Sequence, residues 1–213
     1  MDSGSRAPQQ ARSRQTMARL LAATLKVIEA RGLAGVTVPE IAAVAGLSTG
    51  SVYRRFTDKD ALIRGAFLQL LEASQATNEA NLPPNRFQGL SLDAALQALS
   101  YALVAQYRGR TGLLKALDQF LEIQTDEVFQ QRAMDLVEAN MRRLIETLLP
   151  FRNRVAAPDP ERAITYALLS ATTLIEVHKL HVPLLWRRML PLDDDALAAE
   201  TARTMAAYLA SSR

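Results

Sequence analysis

Ser48 stands in the pentapeptide Gly46-Leu47-Ser48-Thr49-Gly50, which fits G-x-S-x-G. In serine hydrolases that pattern holds a nucleophile on a strained turn between a buried strand and a helix. The surrounding elements do not suit that task. Upstream lies VPEIAAVA, where Ile41, Ala42, Val44 and Ala45 recur at helical spacing and no period-2 alternation appears. The strand is therefore missing. A triad also needs a histidine, and the only two, His178 and His181, lie far downstream. Nor is the stretch a phosphate-binding loop, because three residues separate its glycines and no lysine follows the second. We expect no enzymatic activity.

The two histidines raise metal binding, being three apart with Glu176 nearby. His181 precedes Val182-Pro183, where a helix must already be ending, and no third ligand falls on the same face. No metal and no cofactor is expected. The absence of cysteine removes disulfides, thiolate chemistry and cysteine-bound zinc.

The chain has 213 residues, 49% of them hydrophobic, enough for one or two domains with a core. It contains no run of eighteen apolar residues, so no transmembrane helix is expected. Its first fifteen residues lack the apolar segment of a secretory signal. These features fit a cytoplasmic protein with no membrane partner. The net charge of +3 hides an asymmetry: residues 1–57 carry eight basic side chains and three acidic ones, leaving the remainder slightly acidic. A basic N-terminal module on a near-neutral body points to a polyanion partner for that module. A solvated surface of chance bias gives the same charge count.

Helical periodicity runs through the whole chain, and the reading is all-α. Met17, Leu20, Leu21, Thr24, Leu25 and Ile28 form one stripe, which stops at Gly32. Thr37 with Glu40 three residues on is a capping box, with Pro39 in the first turn of a second helix. Gly46 ends that helix. Ser48 caps a third, from about Thr49 to Phe56, and Thr57 or Asp58 caps a fourth, to about Ala80. Asn81-Leu82-Pro83-Pro84-Asn85 is the clearest break. Further helices are expected at about 91–108, 112–123, 125–149, 159–180 and 195–211.

Two short helices joined at a glycine form a helix-turn-helix. Gly46 permits the positive φ of the tight turn. Leu47, Val52 and Phe56 give the third helix a buried side, and Thr49, Gly50, Ser51, Tyr53, Arg54 and Arg55 then face outward. Small polar groups, a phenol and guanidinium forks suit DNA, since they reach phosphates and guanine edges. Ser48 becomes a helix cap, and the free N–H groups beside it favour an anion.

The segment TVPEIAAVAGLSTGSVYRRFTDKDALI closely resembles the DNA-binding region of the tetracycline-repressor (TetR) family. Thr37, Ile41, Ala42, Ala45, Gly46, Leu47, Ser48, Gly50, Tyr53, Phe56, Lys59 and Leu62 carry the match, which spans roughly residues 15 to 64. Arg55 departs from it, standing where many members have an aromatic residue or histidine. The resemblance implies a homodimeric regulator, usually a repressor, that binds a palindromic double-stranded DNA operator. Its C-terminal helices would bind a small-molecule effector that alters DNA affinity. Residue by residue, Thr37, Tyr53 and Lys59 would meet phosphates, while Thr49, Gly50, Ser51 and Arg54 would face the groove. The expected organisation is a flexible basic arm at 1–14, a three-helix DNA-binding domain at 15–60, and a helical bundle at 61–213 for ligand binding and dimerisation. Arg6, Arg12 and Arg14 fit either an arm that enters a minor groove or a plain tail.

AITYALLSATTLIEV, residues 163–177, is apolar nearly all round, so it needs cover on more than one side. A second subunit can supply that cover, together with the alanine-rich final helix. Enclosure by its own domain is the alternative. Trp186, between leucines and arginines, is read as an anchor for a loop or interface. Phe67, Tyr101, Tyr107, Phe120, Phe129, Met134, Met141 and Thr172 are candidates to line an effector pocket, and each also suits plain core. Glu176 is the one acid in its apolar helix, and facing inward it would favour a cationic ligand. A helical ligand-binding or structural dimer without DNA binding remains the second reading; Tyr53, Arg54 and Lys59 speak against it.

Overall fold

The computed structural model describes residues 6–211, whose regular elements are all helices, with no strand among them. The helices are α1 (Arg6–Arg31), α2 (Val38–Ala45), α3 (Thr49–Tyr53), α4 (Lys59–Asn81), α5 (Leu92–Ala105), α6 (Thr111–Ile123) and α7 (Glu127–Leu148). A 3-10 turn at Leu149–Arg154 leads to α8 (Pro160–Leu180), α9 (Leu184–Met189) and α10 (Asp194–Ala210). Among the described residues no helix is long and apolar enough to cross a membrane. The all-α reading holds.

Two elements differ from expectation. The first helix begins at Arg6, so residues 6–14 of the expected flexible arm are helical; residues 1–5 lie outside the described residues. Pro8 is tolerated because it falls in the first turn, whose N–H groups have no intrahelical acceptor. Gln9, Gln10, Ala11, Arg12 and Arg14 after it are mostly good helix formers. The second difference is α9, a short helix within the segment read as a connector. It is bracketed by Pro183 and Pro191, and Leu184, Leu185 and Met189 are all exposed.

The chain forms two compact units. The first comprises the residues up to Ala73 together with Gly112–Met134. Its α1 stripe is buried at Leu20, Ala23, Thr24, Val27 and Ile28, and α1 packs against α2. Phe67 and Phe120 meet at 5.3 Å between ring centroids, and Phe120 and Phe129 edge to face at 5.6 Å. The aromatic quadrupole favours such tilted pairs. The Arg64 guanidinium ties α4 to Asp126 at 3.3 Å.

The second unit, Ser74–Thr111 with Asp135–Arg213, is built on α10, which packs on α5 and α8. Leu197, Ala198, Ala202, Met205 and Leu209 supply its buried face. Lys179 Nζ at 2.6 Å and Arg108 Nε at 3.0 Å both donate to Asp194 at the start of α10. The hydrogen bond from Lys179, then that from Arg108, holds the Asp194 carboxyl below the usual carboxylate range. On α8, Ile164, Ala167, Leu168, Ala171 and Ile175 are buried. Tyr166 is 59% exposed, Leu169 47% and Val177 41%, so α8 is not enclosed by its own domain.

Candidate nucleic-acid interface

The turn between α2 and α3 is fixed by local chemistry. Gly46 adopts φ +65 and ψ 39, the left-handed conformation that a side chain disfavours. The Gly46 N–H then reaches Ala43 O at 3.1 Å and the Leu47 N–H reaches Ala42 O at 2.9 Å, the paired closure of a Schellman motif. Thr37 caps α2 by accepting from the Glu40 N–H at 3.3 Å. The reciprocal half of the expected capping box is not formed. Arg31 Nε instead donates to Glu40 Oε1 at 3.0 Å, a charge-assisted bond that ties α1 to α2.

Ser48 is the N-cap of α3. Its Oγ accepts from the Ser51 N–H at 3.2 Å and is hydrogen-bonded to Ser51 Oγ at 2.9 Å, where either hydroxyl can donate. A helix, not a strand, precedes it, so the geometry of a nucleophile elbow is absent here. Arg54 Nη2 donates to Ser51 Oγ at 2.7 Å, extending a polar relay from Ser48 through Ser51 to Arg54. Val52 is buried and Leu47 and Phe56 are half-buried, which orients α3. On the other side Gly50, Tyr53 and Arg54 are exposed, with Tyr53 53% accessible, while Thr49 and Ser51 are half-buried. Arg55 is turned back: its Nη1 donates to Ser51 O at 2.9 Å and the side chain is part-buried. Helical hydrogen bonding continues past Tyr53, with Arg54 N–H to Gly50 O and Phe56 N–H to Val52 O.

Asp58, rather than Thr57, caps α4: its Oδ1 accepts from the Ala61 N–H at 2.6 Å. That bond, with the one from Thr57, lowers the Asp58 pKa. Lys59 is the first residue of α4 and is exposed, borders a cleft of about 540 Å³ with Leu33, Ile63 and Gln124, and makes no ion pair among the described residues. Thr37, too, is exposed at its helix start. One positioning residue escapes a reading by periodicity. A Cβ on Gly65 would lie 3.2 Å from Phe56 Cε1 and 3.3 Å from Leu21 Cδ2. The bare glycine lets α4 close on α1 and on the tail of α3. Its signal is a glycine inside a helical pattern, which marks close packing as often as weakness.

The nine residues considered for an effector pocket have separate placements. Phe67, Phe120 and Phe129 pack on one another as core of the first unit, where Met134 is 60% exposed. In the second unit Tyr101 is 43% exposed and Tyr107 is buried. Met141, Thr172 and Glu176 are half-buried, and the Thr172 hydroxyl donates back to Leu168 O. His178 Nε2 lies 3.3 Å from Leu192 O, and His181 is exposed.

The arrangement of α2 and α3 is that of a helix-turn-helix, in a chain whose described elements are all helices. Residues 20–66 match the model of bacterial regulatory proteins of the tetR family. The fold is shared with a Mesorhizobium loti protein assigned to the TetR-family transcriptional regulators, at TM-score 0.70 and 19% identity over 93% of this chain and 97% of that one. It is shared with a TetR transcription regulator of Haloarcula marismortui, at TM-score 0.65 and 20% identity over 92% and 97%. The transcriptional regulator FadR of Bacillus subtilis, solved in complex with stearoyl-CoA, gives TM-score 0.60 and 15% identity over 88% and 96%. No curated relative matches by sequence. Residues 20–66 thus match the tetR family of bacterial regulatory proteins, and the chain as a whole shares its fold with solved proteins assigned to that family.

Proposed function

We propose that this protein is a homodimeric, DNA-binding transcriptional regulator, a repressor that leaves a palindromic operator when a small molecule binds. The observation that carries the reading is the outward side of α3. It presents Gly50, Tyr53 and Arg54, with Ser48 and Ser51 in one relay and Lys59 at the next helix start. Arg54 and the edges of Thr49, Gly50 and Ser51 read the groove. Thr37, Ser48, Tyr53 and Lys59 hold phosphates, where helix N-termini favour anions.

Dimerisation is supported by the exposed aromatic and aliphatic residues of α8 and α10. Tyr166 and Tyr208 meet as a tilted pair, ring centroids 5.2 Å apart, beside a shallow apolar cleft of about 240 Å³ that also involves Ser170, Leu174 and Met205. Such a surface seeks a partner, and an isologous pairing of two copies gives two heads on one duplex. The solved complex of FadR with stearoyl-CoA supports a ligand-responsive body of this fold. Loss of operator affinity then equals the effector's preference for the DNA-incompetent state.

The experiment compares Arg54→Ala and Lys59→Ala on a duplex selected by the parent. Arg54→Ala should lose ~1–3 kcal/mol and relax preference at one operator position. Lys59→Ala should weaken all sequences alike and flatten the salt slope by about one unit. Binding that neither variant weakens contradicts the interface.

A further inference from the structure

We propose that the second unit carries a surface site for a small organic monocarboxylate with an aryl or alkyl body, seated between the loop at 82–91 and the 3-10 turn after α7. The cleft there measures about 510 Å³, within the range of small-molecule sites at roughly 300–1,000 Å³. Its apolar lining comes from Phe87, Leu90, Pro150 and Phe151, with both phenylalanines otherwise buried. Arg154 is the only charged residue lining it. The guanidinium lies 5.7 Å from the Phe151 ring centroid, and its single hydrogen bond, to Leu90 O, is long at 3.4 Å.

A guanidinium has five N–H donors in a planar fork. Arg154 makes no ion pair among the described residues, so most of that fork is open. No acidic residue lines the cleft, so the Arg154 guanidinium is its one charge and sits beside an apolar floor. A carboxylate fits a planar fork in bidentate fashion, and its apolar body fits the phenylalanines. A phosphate monoester finds no second lining cation to offset its second charge. At the rim, the side-chain amides of Asn85 and Gln88 make no hydrogen bond among the described residues and can serve a polar substituent. None of the nine residues singled out from sequence as effector contacts lines this cleft. The site does not depend on the DNA-binding reading.

The test is calorimetric titration of the full chain, without DNA, with 4-phenylbutyrate and decanoate, and with 4-phenylbutyramide as the neutral control. At least one acid should bind in the sub-millimolar range, and for the phenyl pair the amide should bind about tenfold more weakly than the acid, a difference of ~1.4 kcal/mol. Arg154→Met keeps the aliphatic stem and should abolish the preference for acid; Arg154→Lys, a point charge without the fork, should fall between. Arg152→Met, which alters a residue outside the lining, should bind as the parent does. No heat from either acid at millimolar concentration overturns the proposal. So does equal binding of acid and amide, or acid binding that Arg154→Met leaves intact. Melting curves of the variants separate loss of the site from loss of the fold.

Discussion

Replacing Ser48 separates its structural role from its place at the DNA surface. Its Oγ is the acceptor for the Ser51 N–H, and α3 has only five residues, so an open N-terminus weakens a large share of that helix. Ser48→Ala removes the cap and should cost ~1 kcal/mol, from an N-cap range of roughly 0.5–2. In a chain of this size that lowers Tm by about 2–4 °C. Ser48→Asp restores an acceptor that caps as well as serine, so its stability should return to within a few tenths of a kcal/mol of the parent. On DNA the order changes. Aspartate places a negative charge where the proposal puts a phosphate, and loss of a hydrogen bond to a charged group alone costs ~1.5–3 kcal/mol. Ser48→Asp should therefore be as stable as the parent and bind operator at least about tenfold more weakly. Urea melts and fluorescence-anisotropy titrations on the same samples measure both quantities. If Ser48→Asp is as destabilised as Ser48→Ala, the capping argument fails. If it binds DNA as the parent does, no phosphate approaches Ser48.

Gly46→Ala tests the turn. No atom lies within 4 Å of the new Cβ, so the cost is backbone strain of ~1–2 kcal/mol less the entropy lost from the unfolded chain, about 1 kcal/mol net; a stabilised variant in urea melts would refute the left-handed turn. Phe120→Ala removes the ring shared by two aromatic contacts and should cost ~3–5 kcal/mol, read as a lower urea midpoint, whereas a loss below ~1 kcal/mol would mean the cluster is not core. Asp194→Asn addresses acid stability. Its folded pKa is depressed, so its contribution is present above the unfolded value and is lost as pH falls through the folded one. The variant should lose ~0.5–1 kcal/mol at neutral pH, and the gap should close below about pH 4; a gap that persists in acid contradicts this.

The helix-turn-helix was legible because its signals are local. Thr37, Gly46 and Ser48 each act on backbone groups within four residues, so the sequence carries partner and acceptor together. Glu40 was misread within the same motif because its winning partner, Arg31, comes from the preceding helix. Arg55 shares a periodic face with Arg54, yet a bond to Ser51 O folds it back, a rotamer choice that periodicity does not encode. The extension of α1 was hidden by Pro8, a breaker anywhere but in a first turn. Phe67, Phe120 and Phe129 suit plain core more readily than a pocket lining, and only tertiary packing shows them joined in one aromatic cluster. The cleft around Arg154 was invisible for a related reason. Its lining comes from loops and helix ends about sixty residues apart, with no periodic pattern linking them.

The most direct test of the central claim is selection of bound duplexes from a random pool by the full-length protein, followed by footprinting on the winner. The account predicts one enriched palindrome, with half-sites about one helical turn, ~34–36 Å, or a multiple of that apart, protected by two copies of the chain. Enrichment of no sequence, or protection of a single asymmetric half-site by one copy, would contradict it.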